Sequence, residues 1–140
     1  MTLTLDQARA AIRGTFNAGA EAALNPLSVI VLDAGGNVLA FERQDGSSPG
    51  RFTIAHGKAY GAVMLGMPGT KQMERAESQH YFMTAANGAF GGAVIPVPGG
   101  ILIKDGDTVI GALGVTGDSS DNDADAGMKG LKAAGLTGAA

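Results

Sequence analysis

The sequence predicts an α+β fold: one domain in which a central antiparallel sheet, built from two β-hairpins, carries helices packed on it. Three observations predict this. Two pairs of short runs rich in branched apolar residues are each joined by a tight turn, near Ser28–Arg43 and Gly100–Val115, so the strands come as hairpins rather than one per helix. Segments of helical length precede, separate and follow the hairpins. A chain of 140 residues has room for one domain, 1–140, and none for a second.

The elements follow in order. Thr4 and Gln7 have the spacing of a capping box, a hydroxyl for the free amides and a Gln three residues on. Leu5, Ala8, Ile12, Phe16 and Ala20 then recur at helical spacing, opposite Asp6, Arg9, Arg13, Asn17 and Glu21. That predicts an amphipathic helix over Leu5–Ala22, ending before Asn25 and Pro26. Leu27 to Asp33 reads as a buried strand, Ala34 to Asn37 as a turn, and Val38 to Arg43 as the returning strand. Phe52 to Gly66 reads as a second helix, closed by Pro68. Thr70 is placed to cap a short helix over Lys71–Ala76, and Ser78 to cap another running to Asn87. Gly88 to Gly92 reads as flexible, and Ile95 to Gly100 as extended but broken by proline. After the second hairpin, Asp118 to Asp123 reads as a polar loop. A last helix follows over Asn122–Ala134, stopped by Gly135. The expected order is α-β-β-α-α-α-β-β-α.

Composition narrows the function. Hydrophobic residues make up 45% and charged residues 16%, enough for a core and too apolar for disorder. The absence of cysteine excludes a disulfide scaffold, a thiol nucleophile and a thiolate metal site. A net charge of −3, with ten basic residues spread along the chain, argues against nucleic acid as a partner. The N-terminus lacks a basic region and a long apolar run, and no stretch is long enough to span a membrane, so a cytoplasmic location is expected. Glycine and alanine supply about a third of the residues. Small side chains bury little area each, which predicts a homo-oligomer. No Gly-x-Ser-x-Gly, dinucleotide fingerprint or P-loop occurs.

Four segments together resemble the GlcG/HbpS family, the haem-degrading domain family that includes the C-terminal domain of PduO-type proteins. They are Val31 to Leu39, Ile54 to Ala59 (with His56 and Lys58), Pro96 to Ile103, and Gly111 to Asp118. The acidic run ending Asp125-Ala126-Gly127 also fits, and the order is kept over nearly the whole chain. The resemblance implies a profilin-like domain that assembles into dimers and larger symmetric oligomers. Some relatives bind haem or iron and act in redox sensing; others sit beside glycolate or diol metabolism with no assigned reaction.

The residues themselves offer several candidates. His56 shares a helical stripe with Phe52, Tyr60 and Met64, which could line a flat apolar ligand with His56 or Tyr60 as axial ligand; helix packing is the plainer reading. His80, beside Tyr81, Phe82 and Met83, reads equally as a pocket residue or a surface histidine at a helix start. Lys58 stands in a small, apolar stretch. It must pair with an acid, snorkel out, or line a cavity and hold a carboxylate or phosphate-like group. Arg43, at a strand end, could give a second anion contact or simply be exposed. Pro98, Gly99 and Gly100 could form a nest of amides for an anion or a tight bend into a strand. No metal site is predicted; His56, His80, Asp118 and Asp121 are the candidate ligands, without a metal-binding spacing. The acidic run lacks the Gly and Glu of a calcium loop, and favours a helix start instead.

Three functions remain open at this point. One is an oligomeric binder of a small ligand, with haem or another tetrapyrrole as the cofactor that the resemblance suggests. Another is an enzyme on a small anionic metabolite, with Lys58 and His80 in the site and Arg43 and the Gly99–Gly100 amides as anion contacts. The last is an accessory structural subunit.

Overall fold

A computed structural model describes all 140 residues. Helix α1 (Leu5–Glu21) opens on the capping box: the Thr4 hydroxyl accepts from the Gln7 amide at 3.1 Å, and Gln7 Oε1 accepts from the Thr4 amide at 2.9 Å. The first hairpin is β1 (Ser28–Asp33) and β2 (Val38–Arg43). Its turn is tied by Asp33, whose Oδ1 accepts from the amides of Gly35 and Asn37, both at 2.9 Å. The Asn37 amide is the main cause that holds the Asp33 carboxyl below the ordinary carboxylate range. Three helices follow, α2 (Arg51–Leu65), α3 (Gly69–Ser78) and α4 (His80–Ala89). The second hairpin, β3 (Gly100–Asp105) and β4 (Thr108–Thr116), leads into α5 (Ser120–Ala133) and a short β5 (Thr137–Ala139).

The sheet has the order β2-β1-β4-β3-β5, and every neighbouring pair is antiparallel. The two hairpins join where β1 pairs with β4, in a register that sets Ser28 opposite Thr116 and Asp33 opposite Gly111. Strand alternation then splits the core into two layers. Val29, Val31, Ile101, Ile103, Leu113 and Val115 face α1 and α5. Ile30, Leu32, Leu102 and Ala112 face Ala55, Ala59 and Ala62 of α2. Buried on both faces, β1 reads as one unbroken apolar run rather than an alternating one.

The predicted order holds, with local differences. β5 was not expected; it pairs with the open edge of β3 through Leu102, Ile103 and Lys104. Ser78 does not cap α4: its hydroxyl donates to the Glu74 carbonyl inside α3, and Gln79 stands at the cap with no side-chain bond. Thr70 lies inside α3, whose cap position is Pro68. α5 starts two residues earlier than expected, because Ser119 accepts from the Asn122 amide and caps it.

Candidate functional site

Helix α2 carries two sets of functional side chains on opposite sides. Its inner side lies close on the sheet because small residues meet there. A side chain at Gly114 would strike the Ala55 carbonyl, and one at Gly100 would strike the carbonyl of Lys58. This contact is why the Pro98-Gly99-Gly100 segment is buried and bends sharply, with Gly99 at φ 112°.

Lys58 points inward at this contact. Its Nζ donates to the Val115 carbonyl at 2.9 Å and to Asp123 Oδ2 at 3.2 Å. Both side chains are buried, at 3% and 1% exposure. Asp123 is held in turn by the Asp118 amide, which donates to its Oδ1 at 2.9 Å. Burial is the main cause that pushes the Lys58 ammonium below the ordinary lysine range, and burial likewise pushes Asp123 above the ordinary carboxylate range. Lys58 lies against Gly99, and the carboxylate that its ammonium meets is Asp123 of α5, the acid-pairing alternative rather than a ligand.

The outer side of α2 carries an aromatic ladder. Phe52, His56 and Tyr60 stand four residues apart, with ring centroids 5.9 Å and 5.3 Å apart and near-parallel planes. Phe41 of β2 meets Phe52 edge-on at 4.9 Å, and Phe90, just after α4, meets Tyr60 edge-on at 6.0 Å. Phe52 is 43% exposed, and His56 and Tyr60 are half-buried. Arg51 heads the same helix. Its guanidinium donates to the hydroxyls of Ser48 and Thr116, at 3.1 Å and 2.8 Å, both neutral acceptors. Phe41, Phe90 and Arg51 are not marked as site residues by the sequence, and Asp123 is marked only as part of the acidic run before α5. Strand alternation could have found Phe41; Phe90 follows a glycine-broken segment with no periodic signal.

The other candidates lie apart. Arg43 is exposed and lines a cavity of about 620 Å³ between the end of α1 and the end of β2, with Glu42 and Asp45. His80 is exposed at the start of α4 and lines a separate cavity of about 240 Å³ that does not include Lys58. Asp118 accepts from the Asn25 and Ser119 amides and from Asn122 Nδ2, in the loop before α5. Asp121 is exposed, and no three His, Asp or Glu side chains converge to hold a metal ion.

A family model described as haem-degrading protein HbpS-like matches residues 3–132. The chain belongs to the HbpS-like family. Solved structures agree in fold. HbpS superposes with a TM-score of 0.81 at 25% identity, covering 94% of this chain and 89% of that one. A PduOC–haem complex gives 0.86 at 20% identity, covering 97% of each chain. Klebsiella pneumoniae protein ORFY gives 0.87 at 22% identity, covering 96% of this HbpS-like chain and 92% of that one. No curated protein matches the sequence significantly.

Proposed function

We propose that this HbpS-like chain is a homo-oligomeric binder of haem or a related tetrapyrrole, held on the outer side of α2 with His56 as the iron ligand. The observation that carries the reading is the ladder of Phe52, His56 and Tyr60, flanked edge-on by Phe41 and Phe90. The donor set suits the group. An imidazole that makes only ring contacts has its nitrogens free for a metal, and the neighbouring aromatic rings offer an apolar wall to a flat macrocycle. Tyr60 is the second oxygen or nitrogen donor on the same stripe. The Lys58 ammonium is taken by Asp123 and Val115, and Arg51, two turns before Lys58, lies on that same inner side with its guanidinium on Thr116, so the ladder holds the group through its rings and His56 rather than through a cation. Bound haem would supply a redox-active iron; the residues of this chain bind it, orient it and shield one side from water. Membership of an HbpS-like family supports the reading, as does the haem in the PduOC complex of the same fold.

The enzyme reading, which joined Lys58 and His80 in one site, has no geometry behind it, because the two residues do not share a cavity. A haemin titration followed by its absorption spectrum tests the proposal. The wild-type chain should shift and sharpen the Soret band with saturation. His56→Ala should alter that spectrum or weaken binding at least tenfold, while His80→Ala leaves it unchanged. An unshifted Soret band with wild-type protein, or a His56→Ala spectrum identical to wild type, contradicts the proposal.

A further inference from the structure

The cavity at the α3–α4 corner is separate from the aromatic ladder and has its own chemistry. His80, Thr84 and Asn87 line one wall, at steps of four and three residues on one side of α4. Met83, Val94 and Pro96 form the apolar part of the lining. Asn87 Oδ1 accepts from the Val94 amide at 2.9 Å, which fixes the side-chain amide and leaves its Nδ2 donors unspent. The Thr84 hydroxyl and the His80 ring, which meets Tyr81 edge-on, likewise make no hydrogen bond inside the chain, and no carboxylate lines the space. Arg75, next to the lining residue Ala76, lies 4.0 Å over the Phe82 ring, and its buried Nε has no hydrogen-bond partner. The corner therefore gathers unspent hydrogen-bond donors, with no carboxylate to oppose an anion, at one wall and hydrocarbon at the other. A volume of about 240 Å³ is below that of a drug-sized site, and corresponds to roughly eight water molecules.

We propose that this cavity binds a short-chain monocarboxylate of roughly four to six carbons, its carboxylate on His80, Thr84 and Asn87 and its alkyl chain against Met83, Val94 and Pro96. The site does not depend on haem, and its test stands apart from the haemin titration. The full-length protein is titrated with sodium butyrate, and separately with 1-butanol, by two-dimensional NMR. Butyrate should shift the His80, Thr84 and Asn87 signals with a dissociation constant on the order of a millimolar, and 1-butanol should bind at least tenfold more weakly. Asn87→Asp keeps the acceptor for the Val94 amide but replaces the donor with a negative charge, and should weaken butyrate by about tenfold or more. Thr84→Val, on an exposed position, removes one donor and should weaken it by about fivefold; it decides the matter if Asn87→Asp does not fold. Shifts confined to other residues, equal binding of 1-butanol, or unchanged butyrate affinity in either folded variant would overturn the proposal.

Discussion

Lys58 and Asp123 show how much a single buried pair asks of its surroundings. Taking both charges out of water is unfavourable, and their attraction offsets it only while each keeps the other and its further bonds, to the Val115 carbonyl and the Asp118 amide. Breaking the pair on one side leaves the other charge stranded. Lys58→Met should therefore cost about 3–5 kcal/mol in urea denaturation, because the Asp123 carboxylate stays buried without its counter-charge. Lys58→Met combined with Asp123→Leu should recover most of that loss, since a well-packed apolar pair of similar volume is often neutral. A single variant as stable as the parent would show that the pair is not structural. At this scale the anomaly was legible and its resolution was not. A lysine in a run of small apolar residues announces a buried charge. Its partner sits 65 residues further along, and only the docking of α5 against the end of β4 brings Asp123 to it.

Helices α1 and α5 pack so closely that glycine backbones meet. A side chain at Gly14 would stand 2.8 Å from the Gly130 carbonyl, and one at Gly130 would stand 2.7 Å from the Thr15 Cα. Backbone cannot swing aside as a flexible side chain does, so the helices must separate to admit even a methyl group. Gly130→Ala should lower stability by about 1–3 kcal/mol in thermal or urea unfolding, despite alanine's better helix propensity. An unchanged or raised melting temperature would mean that the two helices part at little cost. Local chemistry made most elements legible: the Thr4–Gln7 box, the branched runs of both hairpins, and Pro68 just beyond α2, which ends at Leu65 with Gly66 in the left-handed conformation at φ 63°. What was missed has two causes, a distant neighbour at β5 and a local choice of partner at Ser78. Thr137-Gly138-Ala139 has no strand pattern, and becomes β5 because β3 offers an open edge and Gly138 fits against Leu131 and Ile101. Ser78 had a choice of backbone partners, and took the Glu74 carbonyl behind it instead of the amides ahead.

The whole molecule is a sheet covered by α1 and α5 on one face and by α2 on the other, and both covers leave apolar groups exposed, Leu5 of α1 at 44% among them. Val38 at 48% exposure, Phe52 at 43% and Tyr81 at 64% remain in solvent. Exposed apolar groups of this size, on a chain of 14.0 kDa with so many small residues, favour self-association. Light scattering at micromolar concentration should give a mass at least twice that of one chain; a stable 14.0 kDa species would contradict it. The layering could be reasoned from hairpins and amphipathic helices, and the stripe of Phe52, His56 and Tyr60 from their four-residue spacing. The flanking rings could not, because Phe41 and Phe90 reach α2 from β2 and from the end of α4 only once the chain is folded. The location of the ligand is the central claim, and paramagnetic broadening tests it most directly. Haemin added in small steps to isotope-labelled protein should first erase the signals of Phe52, His56 and Tyr60, with those of Phe41 and Phe90 close behind and the β5 edge untouched. Broadening centred on any other surface, with the α2 signals sharp at saturation, would contradict it.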